Sequence, residues 1–152
     1  MYIVRTYELH KQKAVESEFK VESKDKAISL ADALFEATER TVKVLDDNLP
    51  FDNIVYKKMT PKDAFMSAAP RVRERVLMET AMRIMDLFTQ LTYAHLLNPD
   101  KLDNMGFMEK LQLFCTWALE YEEKYYDTKE YNDFWLDHTE KVFLLKLKEE
   151  FG

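Results

Sequence analysis

The sequence predicts an α+β fold, mostly helical, with an N-terminal β-β-α-β unit (a small antiparallel sheet) packed with a C-terminal layer of three long helices. Three observations lead there. Only two glycines, Gly106 and Gly152, and four prolines occur in 152 residues, so tight turns and positive-φ positions are few, which favours long helices. Residues 15–23 alternate, with Val15, Ser17, Phe19 and Val21 on one side and Glu16, Glu18, Lys20 and Glu22 on the other, the period of a half-buried strand. Beyond residue 70 the apolar residues recur at helical spacing. A chain of this length with 47% hydrophobic and 33% charged residues reads as a single domain, 1–152, made of a 1–59 subunit and a 60–152 helical bundle.

In chain order, residues 2–9 are a strand candidate rich in Ile, Val, Thr and Tyr, and HKQKA at 10–14 is hairpin-sized. Ser23 is placed to cap a helix over 24–47, whose Ala27, Ala31, Leu34, Thr38, Val42 and Leu45 share a face. Asn48 and Pro50 end it, and 53–59 is a third strand. Thr60-Pro61-Lys62-Asp63 combines an N-cap, a proline at the first helical position and a capping acid. Pro70 then breaks or kinks the chain. A helix is expected over 71–97, stopping at Asn98-Pro99, a second over 104–126, and a third starting after Asp127 or Thr128 and reaching 149.

On a wheel of ~100° per residue, the 71–97 helix has a narrow polar stripe of Glu79, Arg83, Asp86 and Gln90, so it should be central. The Met78, Met82, Met85 stripe then reads as core filling, although such stripes also form adaptable binding surfaces. The last helix has two apolar faces. Tyr131, Phe134, Trp135, Val142 and Leu145 make one; Leu136, Phe143 and Leu147 make the other. One face docks the helix, and the second calls for a partner.

The net charge of −6 is concentrated in residues 120–140, where eight acids stand against Lys124 and Lys129 among six large aromatics. This is either a recognition surface or the wet edge of packed helices. Glu122 is the exception, since the wheel puts it on the apolar side of its helix. A sequence pI near 5.2 argues against nucleic-acid binding through a general positive field. Residues 57–75 are rich in Lys and Arg but form no coherent groove.

Most reaction chemistries find no motif. Without glycine-rich loops there is no phosphate cradle. One cysteine excludes an internal disulfide and paired-cysteine zinc sites, and no H-E-x-x-H or calcium loop occurs. Neither a catalytic residue nor a metal or cofactor is expected. His138, beside Asp137 and Glu140, is the histidine to examine: a ligand pocket or general base there competes with a histidine hydrogen-bonded at the core edge. His95 should lie on a buried face, Cys115 should be a small buried hydrophobe, and His10 falls in the hairpin loop.

These features predict a non-enzymatic, cytoplasmic protein-interaction or regulatory module, binding another protein or a second copy through its last helix. Leu136, Phe143 and Leu147 would supply apolar contact, and Asp133, Asp137 and Glu140 charge complementarity. The alternatives are an acidic inhibitor occupying the nucleic-acid site of a host protein, and a small-ligand binder or enzyme with a pocket near His138. Neither direct nucleic-acid binding nor membrane insertion is expected: the apolar start carries Arg5 and Glu8, unlike a signal peptide, and no apolar run approaches ~18 residues.

Overall fold

The computed structural model describes residues 1–8, 13–51 and 53–152; His10 and most of the HKQKA turn lie outside them. The chain divides into two compact units, Met1–Met66 and Ser67–Gly152.

The first unit is an antiparallel sheet with a helix on one face. Its strands are β1 (Tyr2–Glu8), β2 (Lys13–Val21), β3 (Thr41–Asp46) and β4 (Ile54–Lys58), in the order β2-β1-β3-β4, and α1 spans Lys24–Thr38. The alternation read in β2 is real: Phe19 and Val21 pair with Val4 and Tyr2 of β1. Val21 packs on the cluster of Val4, Ala27, Ala31, Val42 and Val44, while Val15 and Phe19 stay 44% and 42% exposed because β2 is a sheet edge. Ser23 caps α1, its Oγ accepting from the Lys26 N–H. Alanine at 27 and 31 lets the helix lie close to the strands.

The expected helix over 24–47 is corrected here. It ends at Thr38, and residues 41–46 form β3, the central strand that joins β1 to β4. Thr38, Val42 and Leu45 continue a helical spacing, but Thr41, Val42 and Val44 are β-branched and fit a pleated surface. The chain leaves the helix through Glu39, a non-glycine residue in the left-handed region (φ 54) whose N–H donates to the Phe35 carbonyl. The unit is therefore β-β-α-β-β, and the α+β class stands. A short helix, α2 (Pro61–Ser67), follows, with the Asp63 N–H donating to Thr60 Oγ1 at 3.2 Å as the capping motif required.

The second unit contains α3 (Pro70–Tyr93), α4 (Pro99–Asp103), α5 (Phe107–Tyr125) and α6 (Lys129–Phe151). Thr80 lies against Glu122 and Phe88 against Phe114, so α3 and α5 run antiparallel. Each of the three long helices buries one stripe: Val76, Thr80, Ile84, Leu87 and Leu91 on α3; Phe114, Trp117, Ala118, Tyr121 and Glu122 on α5; Thr139, Phe143, Leu147 and Phe151 on α6. Phe88, Phe114, Trp117 and Phe151 meet at centroid distances of 5.3 to 6.4 Å in tilted and edge-on arrangements. Burying each such aliphatic or aromatic side chain contributes about 1.5–3 kcal/mol.

Helix α3 stops at Tyr93, four residues short of expectation. His95 takes a left-handed φ of 55 and is exposed rather than buried, which swings Leu97 back into the core. Asn98 caps α4 with its side chain, and its own N–H donates to the Phe151 carbonyl at 2.6 Å. Helix α6 is kinked at Phe134 (φ −137, ψ 38). One turn beyond, Thr139 Oγ1 donates back to the Trp135 and Leu136 carbonyls, a bond pattern that bends helices. No helix among the described residues is long and apolar enough to cross a membrane.

Candidate functional site

The residues expected to bind a partner do not form one surface. Phe143 and Leu147 are 1% and 0% exposed, inside the core of the helical unit. Leu136 lies on the same stripe of α6, seven residues before Phe143, yet is 60% exposed; with Trp135 it borders a shallow depression with Glu79, Met82, Arg83 and Asp86. The two-face expectation is corrected accordingly: the Leu136 stripe is the docking face, covered only in its C-terminal part. Phe134 and Leu145, assigned to the opposite face, are 61% and 62% exposed. A wheel ranks directions around one helix but cannot say which neighbour fills each.

The acids of residues 120–140 also separate. Asp133 and Asp137 are exposed. Glu140 faces Arg83 of α3 at 3.4 Å, and Glu120 faces Lys146 of α6 at 3.3 Å. These half-exposed pairs contribute at most ~1 kcal/mol each.

His138 is a hydrogen-bonded histidine at the core edge. Its Nδ1 lies 2.8 Å from the Tyr121 hydroxyl, and its ring packs edge-on against Tyr125 at 4.5 Å. It lines none of the cavities described for the helical unit. Its hydrogen bond goes to a phenol, and the nearby carboxylate of Glu140 is turned to Arg83.

Two further features were only hinted at in the sequence. The first is Glu122, whose side chain is wholly buried between helices. Its Oε1 accepts from Thr80 Oγ1 at 2.6 Å. The Tyr131 hydroxyl of α6 interacts with the same carboxyl group, while Oε2 has no hydrogen bond within normal distance and angle limits. Burial raises the Glu122 pKa, the Thr80 and Tyr131 hydrogen bonds oppose that, and the charge of Glu79 adds to it. Burial likewise pushes the Tyr121 and Tyr131 phenols up, with the charge of Glu122 second. Only the glutamate on the apolar side of α5 stood out in the sequence; the threonine in the apolar stripe of α3 is the second half of the signal.

The second is an open groove of about 350 Å³ between α3 and α5, lined by Leu77, Met78, Ala81, Met82, Met85, Leu111 and Cys115. Met78 and Met82 are 63% and 61% exposed, and Cys115 is exposed. Core filling holds for Met85, which packs against the core, and is corrected for Met78 and Met82, as is the burial of Cys115. Helix α5 buries Phe114 and Ala118; Cys115 is rotated ~100° from the first, which carries it onto the groove wall. The apolar stripe extends along α5 to Met108 and Leu119, 62% and 40% exposed. Among the described residues, no cluster of His, Cys, Asp and Glu is arranged to hold a metal ion.

No family model, curated protein or solved structure matches this chain.

Proposed function

We propose that this chain is a non-enzymatic protein-interaction module that pairs with a second copy of itself through the groove between α3 and α5. The observation behind it is the exposure of Met78 and Met82 along a groove whose lining carries no charged side chain. Contiguous exposed apolar surface of this kind marks interaction sites in soluble proteins, and flexible methionines adapt to the side chains that fill them. A slot between two antiparallel helices accepts further helices by ridges-into-grooves packing. A second copy is the favoured occupant because an isologous contact lets each apolar stripe cover its equivalent; the exposed Met78 and Met82 of α3 and the exposed Met108 and Leu119 of α5 offer the same apolar chemistry. Asp133, Leu136 and Asp137, at the surface of the last helix, are available for charge-selective contact with another protein. We place the module in the cytoplasm, where an exposed Cys115 stays reduced.

The test is size exclusion with light scattering, over a range of concentrations at low and high salt. The expected result is a mass twice the 18.1 kDa of the chain, persisting in high salt because the contact is apolar. The double variant Met78→Glu, Met82→Glu should be monomeric, its dissociation constant raised roughly a hundredfold or more by buried carboxylates. A wild-type monomer at every concentration overturns self-association. A dimer that falls apart in high salt moves the contact to the acids of the last helix.

A further inference from the structure

We propose that the surface where α3 meets α6, around Trp135 and Leu136, is a docking site for a basic amphipathic helix of a partner protein. This assignment rests on the reading of Asp133, Leu136 and Asp137 as contacts for another protein, and it is independent of self-pairing through the α3–α5 groove.

Two shallow depressions make up the surface. One, of about 280 Å³, is lined by Glu79, Met82, Arg83 and Asp86 of α3 with Trp135 and Leu136 of α6. The other, of about 320 Å³, is lined by Trp135 and Leu136 again, with Asp133, Phe134 and Asp137. The shared residues join them around an apolar middle. Met82, Phe134 and Leu136 are largely exposed, and Leu136 is the uncovered end of a stripe whose Phe143 and Leu147 are buried. Apolar side chains grouped inside a polar rim mark protein contacts, and Trp and Met are among the residue types enriched there.

The rim selects the partner. Glu79, Asp86, Asp133 and Asp137 are exposed, and none of them forms an ion pair among the described residues. The one cation in either lining, Arg83, faces Glu140 at 3.4 Å, so it is already matched by an acid outside the rim. Four uncompensated carboxylates repel an acidic peptide or a nucleic acid and attract Lys and Arg. A Lys or Arg side chain lays its methylene stem on apolar surface and carries its charge to the edge, which suits an apolar middle bordered by acids from both helices. Glu79 and Asp86 are seven residues apart on α3, about 10 Å along its axis. Asp133 and Asp137 are four residues apart across the break in α6. Both are intervals at which a helix repeats a face. A partner helix that lays Leu, Ile or Phe on Trp135 and Leu136 therefore presents its flanking cations to both pairs.

The experiment titrates the intact protein into a dye-labelled synthetic peptide of leucine and lysine whose leucines fall on one helical face, read by fluorescence anisotropy at low and high salt. One peptide should bind per chain, more weakly as salt rises. Asp133→Asn with Asp137→Asn should weaken binding about five- to tenfold, and Leu136→Ala about tenfold. All three positions are exposed, and the far-ultraviolet spectrum checks that the variants keep the fold. A peptide with glutamate for lysine should not bind. Absence of binding by the leucine–lysine peptide overturns the proposal. Equal binding of a scrambled peptide of the same composition does so too, since net charge alone would then account for it. Binding that every variant retains at full strength places the peptide elsewhere, the α3–α5 groove included, and is equally fatal. Light scattering on the same variants separates this site from self-pairing. Their mass should equal that of the wild type, whether monomer or dimer; a lower mass would make a second copy the occupant and end the proposal.

Discussion

At the scale of single residues, the buried carboxyl of Glu122 sets how stability varies with pH. Its pKa is raised by burial, so the folded chain holds the proton more tightly than the unfolded one. Any stability linked to that proton is therefore fully present below the ordinary carboxyl pKa. It is lost as pH rises through the raised folded value. Glu122→Gln keeps the size and the acceptor for Thr80 but cannot ionise. It should match the wild type in acid and exceed it above that window by roughly 1–3 kcal/mol, the scale of a buried polar group left without a partner. Urea denaturation of both proteins at pH 4 and pH 8 measures this; an equal difference at the two values would mean that Glu122 does not titrate differently on folding. The sequence disclosed this residue in part. A glutamate on an apolar face is visible on a wheel, but its contact with Thr80, 42 residues away, needs the pairing of α3 and α5.

At the scale of elements, the starts of α1, α2 and α3 were legible and the ends of α1 and α3 were not. Ser23, the Thr60-Pro61 pair and Pro70 act on the turn they begin, through hydrogen bonds and dihedral limits that local sequence contains. The end of α1 has no such mark, because Glu39 occupies a left-handed position that glycine would normally announce. Residues 41–46 keep a helical spacing of apolar side chains, and only pairing with β1 and β4 decides in favour of a strand. Glu39→Gly should relieve the strained φ and raise stability by about 0.5–1 kcal/mol, read as a higher melting temperature with an unchanged far-ultraviolet spectrum. A loss of stability would place a compensating role on the Glu39 side chain. The bend of α6 at Phe134 was hidden for a related reason. Thr139 is an ordinary helix residue until its hydroxyl turns back to the Trp135 and Leu136 carbonyls.

At the scale of the whole molecule, the two compact units each contain their own buried cluster. A chain of residues 69–152 carries the full set of Ile84, Phe114, Trp117, Phe143, Leu147 and Phe151, and should fold alone with a helical circular-dichroism spectrum and cooperative thermal unfolding. A fragment without a cooperative transition would mean that this core needs the rest of the chain. The fold class was readable because hydrophobic period is a property of each segment. The candidate site was not, because openness depends on which faces remain uncovered after all segments have packed: Met78 and Cys115 have the composition of core residues and the position of surface ones. The position of Cys115 also has a practical consequence. It is the only thiol in the chain, it is exposed, and it lies on the groove wall. A maleimide dye or nitroxide attached to the unmodified sequence therefore goes to that one place. Reagent access should fall when the groove is filled and recover when it empties, so the protein carries its own occupancy probe.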